Sequence, residues 1–166
     1  MPYEFRPLSA ADLSLLRRWV AAPHVAEWWG DPEQQFALVS ADADEAALEQ
    51  YLVAADGRPI GYLQCYAVAA WPQAGLGSHR PGTHGIDQFI GEPDMIARGH
   101  GSRFIRAFLE QRLGRDCPRI LTDPSPANAR AIRAYQKAGF AIDREVDTCE
   151  GRALLLLRDR EPTSPA

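Results

Sequence analysis

The chain has 166 residues and a mass of 18.4 kDa, the size of one ordinary domain. Apolar residues make up 46% and charged residues 24%, a globular balance, and no run reaches the ~18 apolar residues a membrane helix needs. A net charge of −4 and a pI of about 5.5, with no basic block, argue against a nucleic-acid binder and suit a small cationic partner.

MPYEFRPLSA has no basic start running into an apolar stretch, so no secretory signal is expected. Cys65, Cys117 and Cys149 are odd in number, widely spaced and without a CxxC pair. A disulfide framework or a cysteine-rich zinc site is therefore not expected, and the cytoplasm is the expected compartment. His24, His79, His84 and His100 lack helical ligand spacing, and no metal is expected.

Taken in chain order, Tyr3–Arg6 reads as a strand. Ser9 caps a helix over Ala11–Ala22, with Leu13, Leu16 and Val20 at helical spacing and Pro23 as its end. His24–Gly30 reads as a loop or short helix, Pro32 as a further break, and the acidic, Ala-rich stretch Ser40–Gln50 as a second helix. The period then changes to strands at Tyr51–Ala55 and Pro59–Ala67, joined by Asp56-Gly57, the dipeptide of a tight hairpin. The Gly- and Pro-rich stretch 70–83 reads as a long flexible loop. Beyond it come a strand at His84–Ile90, a helix from Gly99 to Leu113, a strand at Arg119–Thr122 and a helix at Asn128–Ala138. Strands follow at Phe140–Val146 and Arg152–Leu157. The order predicts an α/β or α+β domain over residues 1–160, with helices on both faces of a mixed sheet of six to seven strands. Glu161–Ala166 is expected to be a disordered tail.

Two stretches carry chemistry. Arg98-Gly99-His100-Gly101-Ser102-Arg103 lies between a strand and a helix. Glycines there let backbone N–H groups converge, and the helix N-terminus adds partial positive charge, so the turn suits a diphosphate. It lacks the GxGxxG and the later acidic residue of a dinucleotide-binding unit. The second stretch is Asn128-Ala-Arg-Ala131-Ile-Arg-Ala-Tyr135-Gln-Lys-Ala-Gly139-Phe140. It resembles, position for position, the Asn-x-x-Ala-x-x-x-Tyr-x-x-x-Gly-Phe block of the GCN5-related N-acetyltransferase (GNAT) superfamily. Glu27-Trp28-Trp29-Gly30, Gly85-Ile86-Asp87-Gln88 and Thr122-Asp123-Pro124-Ser125-Pro126 narrow the resemblance to the aminoglycoside 6′-N-acetyltransferases. One departure is Ile96, where such enzymes often carry Gln or Arg.

That resemblance implies the GNAT fold, acetyl-CoA as cosubstrate, no metal, and direct transfer to an amine in a ternary complex. Asp87 becomes the general base and Tyr135 the acid toward the leaving thiolate. The cosubstrate would be held by Gln88 and Ile90 backbone groups, by Arg98, Gly99, His100, Gly101, Ser102 and Arg103, and by Asn128 and Tyr135; Asn128 can equally cap its helix. The acceptor would meet Trp28, Trp29, Gln64, Tyr66, Asp87, Asp123 and Glu150, with one tryptophan of the pair expected in the core. The loop at 70–83 is expected to edge the site. His24 reads either as a base of the siderophore-acyltransferase kind or as a cap or packing residue, and the His100 side chain is expected to face solvent. An aminoglycoside is the expected acceptor. The alternatives are another amine (a polyamine, a hydroxylysine siderophore precursor or a protein N-terminus) or a non-catalytic acyl-CoA-binding module. The chain is expected to act as a monomer or homodimer.

Overall fold

Seven strands and five α-helices make up the described part of the protein, a computed structural model in which residues 2–113 and 116–160 are described. In chain order they are β1 (Tyr3–Pro7), α1 (Leu13–Val20), α2 (Pro23–Trp29), α3 (Pro32–Ala41), β2 (Leu48–Ala55), β3 (Arg58–Ala67), β4 (His84–Ile90), α4 (His100–Gln111), β5 (Arg119–Thr122), α5 (Ala129–Lys137), β6 (Ala141–Thr148) and β7 (Gly151–Asp159). The strands form one sheet in the order β1-β2-β3-β4-β5-β7-β6. It is mixed: β4 and β5 run parallel, while β1/β2, β5/β7 and β6/β7 are antiparallel. The expected tail at 161–166 lies outside the described residues. None of the described helices is long and apolar enough to cross a membrane.

The chain packs as two compact units, one of Met1–Gln64 and Gln88–His100, the other of Cys65–Asp87 and Gly101–Ala166. In the first, Leu16, Trp19 and Val20 of α1 turn inward against Val25, Val39, Leu52, Tyr62 and Phe89. The turn before α1 is closed by Asp12, whose carboxylate takes the Ser9 N–H at 2.8 Å and both terminal nitrogens of Arg6 at 2.6 and 2.9 Å. Asp56 (φ 49°) and Gly57 (φ 78°) form the hairpin turn as expected, both left-handed as a type I′ turn requires.

The first helix ends before Pro23 as expected, the short helix allowed at His24–Gly30 is α2, and a break precedes Pro32. Each proline then opens the next helix, because a first-turn proline has no intrahelical N–H partner to lose. One expectation fails in this unit: the helix expected at Ser40–Gln50 is displaced. Asp31 caps α3 by accepting the Gln34 N–H at 2.9 Å, α3 ends at Ala41, and β2 has begun by Leu48. Strand pairing overrides the helical composition of Glu49 and Gln50: the Gln50 carbonyl accepts the Leu8 N–H at 2.9 Å at the end of the β1/β2 ladder.

In the second unit Phe104, Ile105, Phe108 and Leu109 of α4 are buried, as expected from their spacing. A separate cluster joins Leu76, Leu121, Val146, Ala153 and Leu155. It corrects the reading of 70–83 as a flexible loop. Leu76 is fully buried, its carbonyl accepts the His79 Nε2–H at 2.7 Å, and the Val68 N–H reaches the Thr83 carbonyl at 3.0 Å. A single leucine among glycines and prolines thus anchors the segment from within.

Candidate active site

The second unit brings together three carboxylates. β4 pairs with β5 in the register His84↔Ile120 and Gly85↔Leu121; two residues further along, on the same face, stand Asp87 and Asp123. Glu150 occupies the exposed two-residue tip between β6 and β7. Burial, then the charges of Asp87 and Glu150, push the Asp123 carboxyl up to about 8. Asp123 therefore holds its proton at neutral pH.

Tyr66 lies against this cluster. It is 1% exposed, and its hydroxyl is buried without a hydrogen-bond partner. Burial first, then Asp87, Asp123 and Tyr135, hold its phenol well above the usual tyrosine range, so it stays a proton donor. Its ring lies against Gly85, where a Cβ would stand 2.2 Å from the phenol carbon. Only glycine permits that approach. Gly85 escaped the sequence reading as a site residue, although it opens the block that carries Asp87.

Tyr135, also of the second unit, is buried on α5 and packs edge-on against Phe140, with ring centroids 5.4 Å apart. Its helix starts at Asn128, whose Oδ1 accepts the Ala131 N–H at 3.2 Å, so the capping role expected of Asn128 is realised.

The Arg98–Arg103 turn precedes and opens α4. Gly99 (φ 77°) and Ala97 (φ 60°) are both left-handed, and α4 starts at the next residue, His100. Gly101 is buried, Ser102 half-buried, and Arg98 and Arg103 exposed. The positive end of a twelve-residue helix suits an anion. One expectation is overturned here. The His100 side chain does not face solvent; it is 3% exposed and its Nδ1 lies 2.8 Å from the Tyr3 hydroxyl.

The remaining positions lie in the first unit. Trp29 packs edge-on against Phe89 at 5.1 Å and Tyr62 at 6.0 Å and joins the core, while Trp28 is half-buried outside that cluster. The Gln64 Oε1 accepts from the Tyr62 hydroxyl at 2.9 Å. His24 donates from Nε2 to the Ile90 carbonyl at 2.9 Å, so it pins the end of β4 and is not placed as a base. Gln88 is half-buried, and its side-chain oxygen is shut away from water with no partner. Among the described residues no group of three metal-ligating side chains occurs.

A family model described as "Acetyltransferase (GNAT) domain" matches residues 9–148. The aminoglycoside N(6′)-acetyltransferase type 1 of Klebsiella pneumoniae is 35% identical over 168 residues, spanning 94% of this chain and 82% of the relative. A kanamycin resistance protein of Rhizobium radiobacter is 39% identical over 82 residues, 49% of this chain and 76% of that protein. Among solved structures, AAC(6′)-Ib in complex with paromomycin and acetyl-CoA matches with a TM-score of 0.86 and 31% identity over 100% of both chains. AAC(6′)-Ib with coenzyme A and kanamycin matches with a TM-score of 0.84 and 33% identity over 96% of this chain and 95% of that one. The motif match along α5, the turn before α4 and these relatives agree, and the chain belongs to the GNAT acetyltransferases, in the family of the aminoglycoside 6′-N-acetyltransferases.

Proposed function

We propose that the protein transfers the acetyl group of acetyl-CoA to the 6′-amine of an aminoglycoside by direct transfer in a ternary complex, and so confers resistance. The observation that carries the acceptor class is the cluster of Asp87, Asp123 and Glu150, which drives one carboxyl up to about 8 and is relieved by a polycation. The relatives named above act on or bind aminoglycosides, which are such polycations.

Acetyl-CoA, when bound, supplies an activated thioester. The first-turn N–H groups of α4, Gly99 and the guanidinium groups of Arg98 and Arg103 suit its diphosphate, and Gln88 offers the pantetheine arm or the acceptor an oxygen with no partner of its own. Ile90, its carbonyl held by His24, presents the end of β4 in a fixed position. Asp87 takes the proton that the acceptor ammonium must lose, which frees the nitrogen lone pair to attack the thioester carbon. Once the C–N bond has formed, Tyr135 gives its phenolic proton to the sulfur as the C–S bond breaks, and the resulting tyrosinate is reprotonated by the second proton that the acylated nitrogen sheds. Asp123 and Glu150 bind further ammonium groups, Tyr66 donates its unused hydrogen bond, and Trp28 offers a flat face to a sugar ring. Ser125 and the three cysteines have no part, because direct transfer needs no acyl-enzyme.

We read residues 1–160 as one acetyltransferase domain, since the family match draws on both units. We place it in the cytoplasm, on cysteine usage, as a monomer or homodimer. Thiol release from acetyl-CoA with kanamycin, spermidine or lysine tests the acceptor. Saturable turnover confined to kanamycin, with acetate on the 6′-nitrogen by mass spectrometry, is expected. Equal or faster turnover on spermidine or lysine would refute the aminoglycoside assignment and leave an acetyltransferase of another amine.

A further inference from the structure

The hydrogen bond between Tyr3 and His100 joins residues 97 positions apart, and both side chains are buried, at 7% and 3% exposure. Their rings meet edge-on with centroids 6.0 Å apart. Tyr3 is fixed by its strand, where it pairs with Ala55 in the β1/β2 ladder. His100 is the first residue of α4, directly after the Ala97–Gly99 turn with its two left-handed residues. A left-handed alanine is disfavoured and persists only where its surroundings hold it.

Apolar side chains at these two positions would fill the same space but tolerate sliding and rotation. A buried hydrogen bond does not, since it has one length and a narrow range of angles. The bond therefore fixes where His100 and the turn that leads into it sit. Either partner can donate: the tyrosine hydroxyl to Nδ1 of one imidazole tautomer, or Nδ1–H to the tyrosine oxygen in the other.

We propose that Tyr3 is a positioning residue for acetyl-CoA: through His100 it holds the Arg98–Arg103 turn in the geometry that receives the diphosphate. The proposal rests on the reading of that turn as the diphosphate site. Tyr3 acts through its bond to His100.

The test compares wild type with Tyr3→Phe and with the double variant Tyr3→Phe/His100→Leu. Isothermal titration calorimetry gives the Kd for CoA. Steady-state kinetics are run with two acetyl donors, acetyl-CoA and S-acetylpantetheine, which lacks the diphosphate. In Tyr3→Phe the CoA Kd and the KM for acetyl-CoA are expected to rise threefold to tenfold, while kcat at saturation and the KM for kanamycin stay within twofold. The KM for S-acetylpantetheine is expected to be the same in Tyr3→Phe as in wild type. In the double variant the CoA Kd is expected to stay high, because an apolar pair at these positions does not restore the directional bond. Equal losses with both donors, an unchanged CoA Kd, or a Kd that recovers in the double variant would each overturn the positioning role. Wild-type protein that binds CoA no more tightly than pantetheine would overturn the diphosphate reading itself, and the proposal with it.

Discussion

Asp12 and Asp123 are the same residue in two regions of the molecule, and their carboxyls move in opposite directions. Asp12, at the start of α1, is 8% exposed and held at about 2, chiefly by its hydrogen bonds from Arg6. Asp123, past the end of β5, is half-buried and pushed to about 8 by burial, Asp87 and Glu150. Burial alone would raise both. The difference lies in the company each keeps: Asp12 has a guanidinium at 2.6 Å, whereas the neighbours that move Asp123 are themselves acids. A carboxylate that brings its own cation closes a turn and is finished with its work. A carboxyl raised by neighbouring acids instead holds its proton, and groups shifted in this way gather at functional sites.

The sharpest way to separate the two regions is to remove a charge from the acidic cluster and ask whether chemistry or folding suffers. Asp87→Asn leaves a hydrogen-bonding group of the same shape but no proton acceptor. A loss of roughly 10²–10⁴ in kcat is expected, about 3–5 kcal/mol of transition-state stabilisation. Retained turnover would reduce Asp87 to a binding group and return the base to a water or another carboxylate.

This contrast was partly legible in the sequence. The Gly85–Gln88 block marks Asp87, and the Asn128–Phe140 block marks Tyr135 and the helix around it. The Asp56-Gly57 turn and the last two strands are readable too, since local chemistry dictates them. What could not be read was set by partners distant in the chain. His100 follows a glycine in a polar turn, and it is buried where it meets a tyrosine 97 residues earlier. Leu76 is one apolar residue in a segment whose composition spells loop, yet it meets Leu121, Val146, Ala153 and Leu155 and stops that loop from being free. The shift at Asp123 depends on a strand register and a hairpin tip, neither of which a linear pattern encodes.

The second way to sharpen the comparison is through stability against pH. Folded Asp123 keeps its proton up to about pH 8, whereas in the unfolded chain an aspartate releases it near ~4. The folded state thus loses stability as the pH rises between those values, and Asp123→Asn abolishes the loss. The variant should match wild type near pH 4 and exceed it by about 2–3 kcal/mol at pH 8, allowing for partial solvent screening. Urea titrations at both pH values measure this, and kanamycin binding should be weaker in the stabilised protein. Equal stability of the two proteins at pH 8 would mean that Asp123 has a cation of its own and belongs with Asp12.

Asp12→Asn probes the other side of the comparison, and its pH dependence must have the opposite sign. The folded carboxyl at about 2 lies below the ~4 of the unfolded chain. Its contribution is therefore complete above that value and disappears as the pH falls toward 2. At pH 7 the substitution should cost about 2 kcal/mol, part of it from the Arg6 guanidinium left without its anion. The gap between variant and wild type should close between pH 5 and pH 2, while the gap for Asp123→Asn opens between pH 4 and pH 8. Turnover per folded molecule should be unchanged in Asp12→Asn, since this carboxylate is satisfied by Arg6 and Ser9 before any ligand arrives. A fall in kcat without a fall in stability would break the comparison, because it would make the acid that closes the turn before α1 a participant in catalysis.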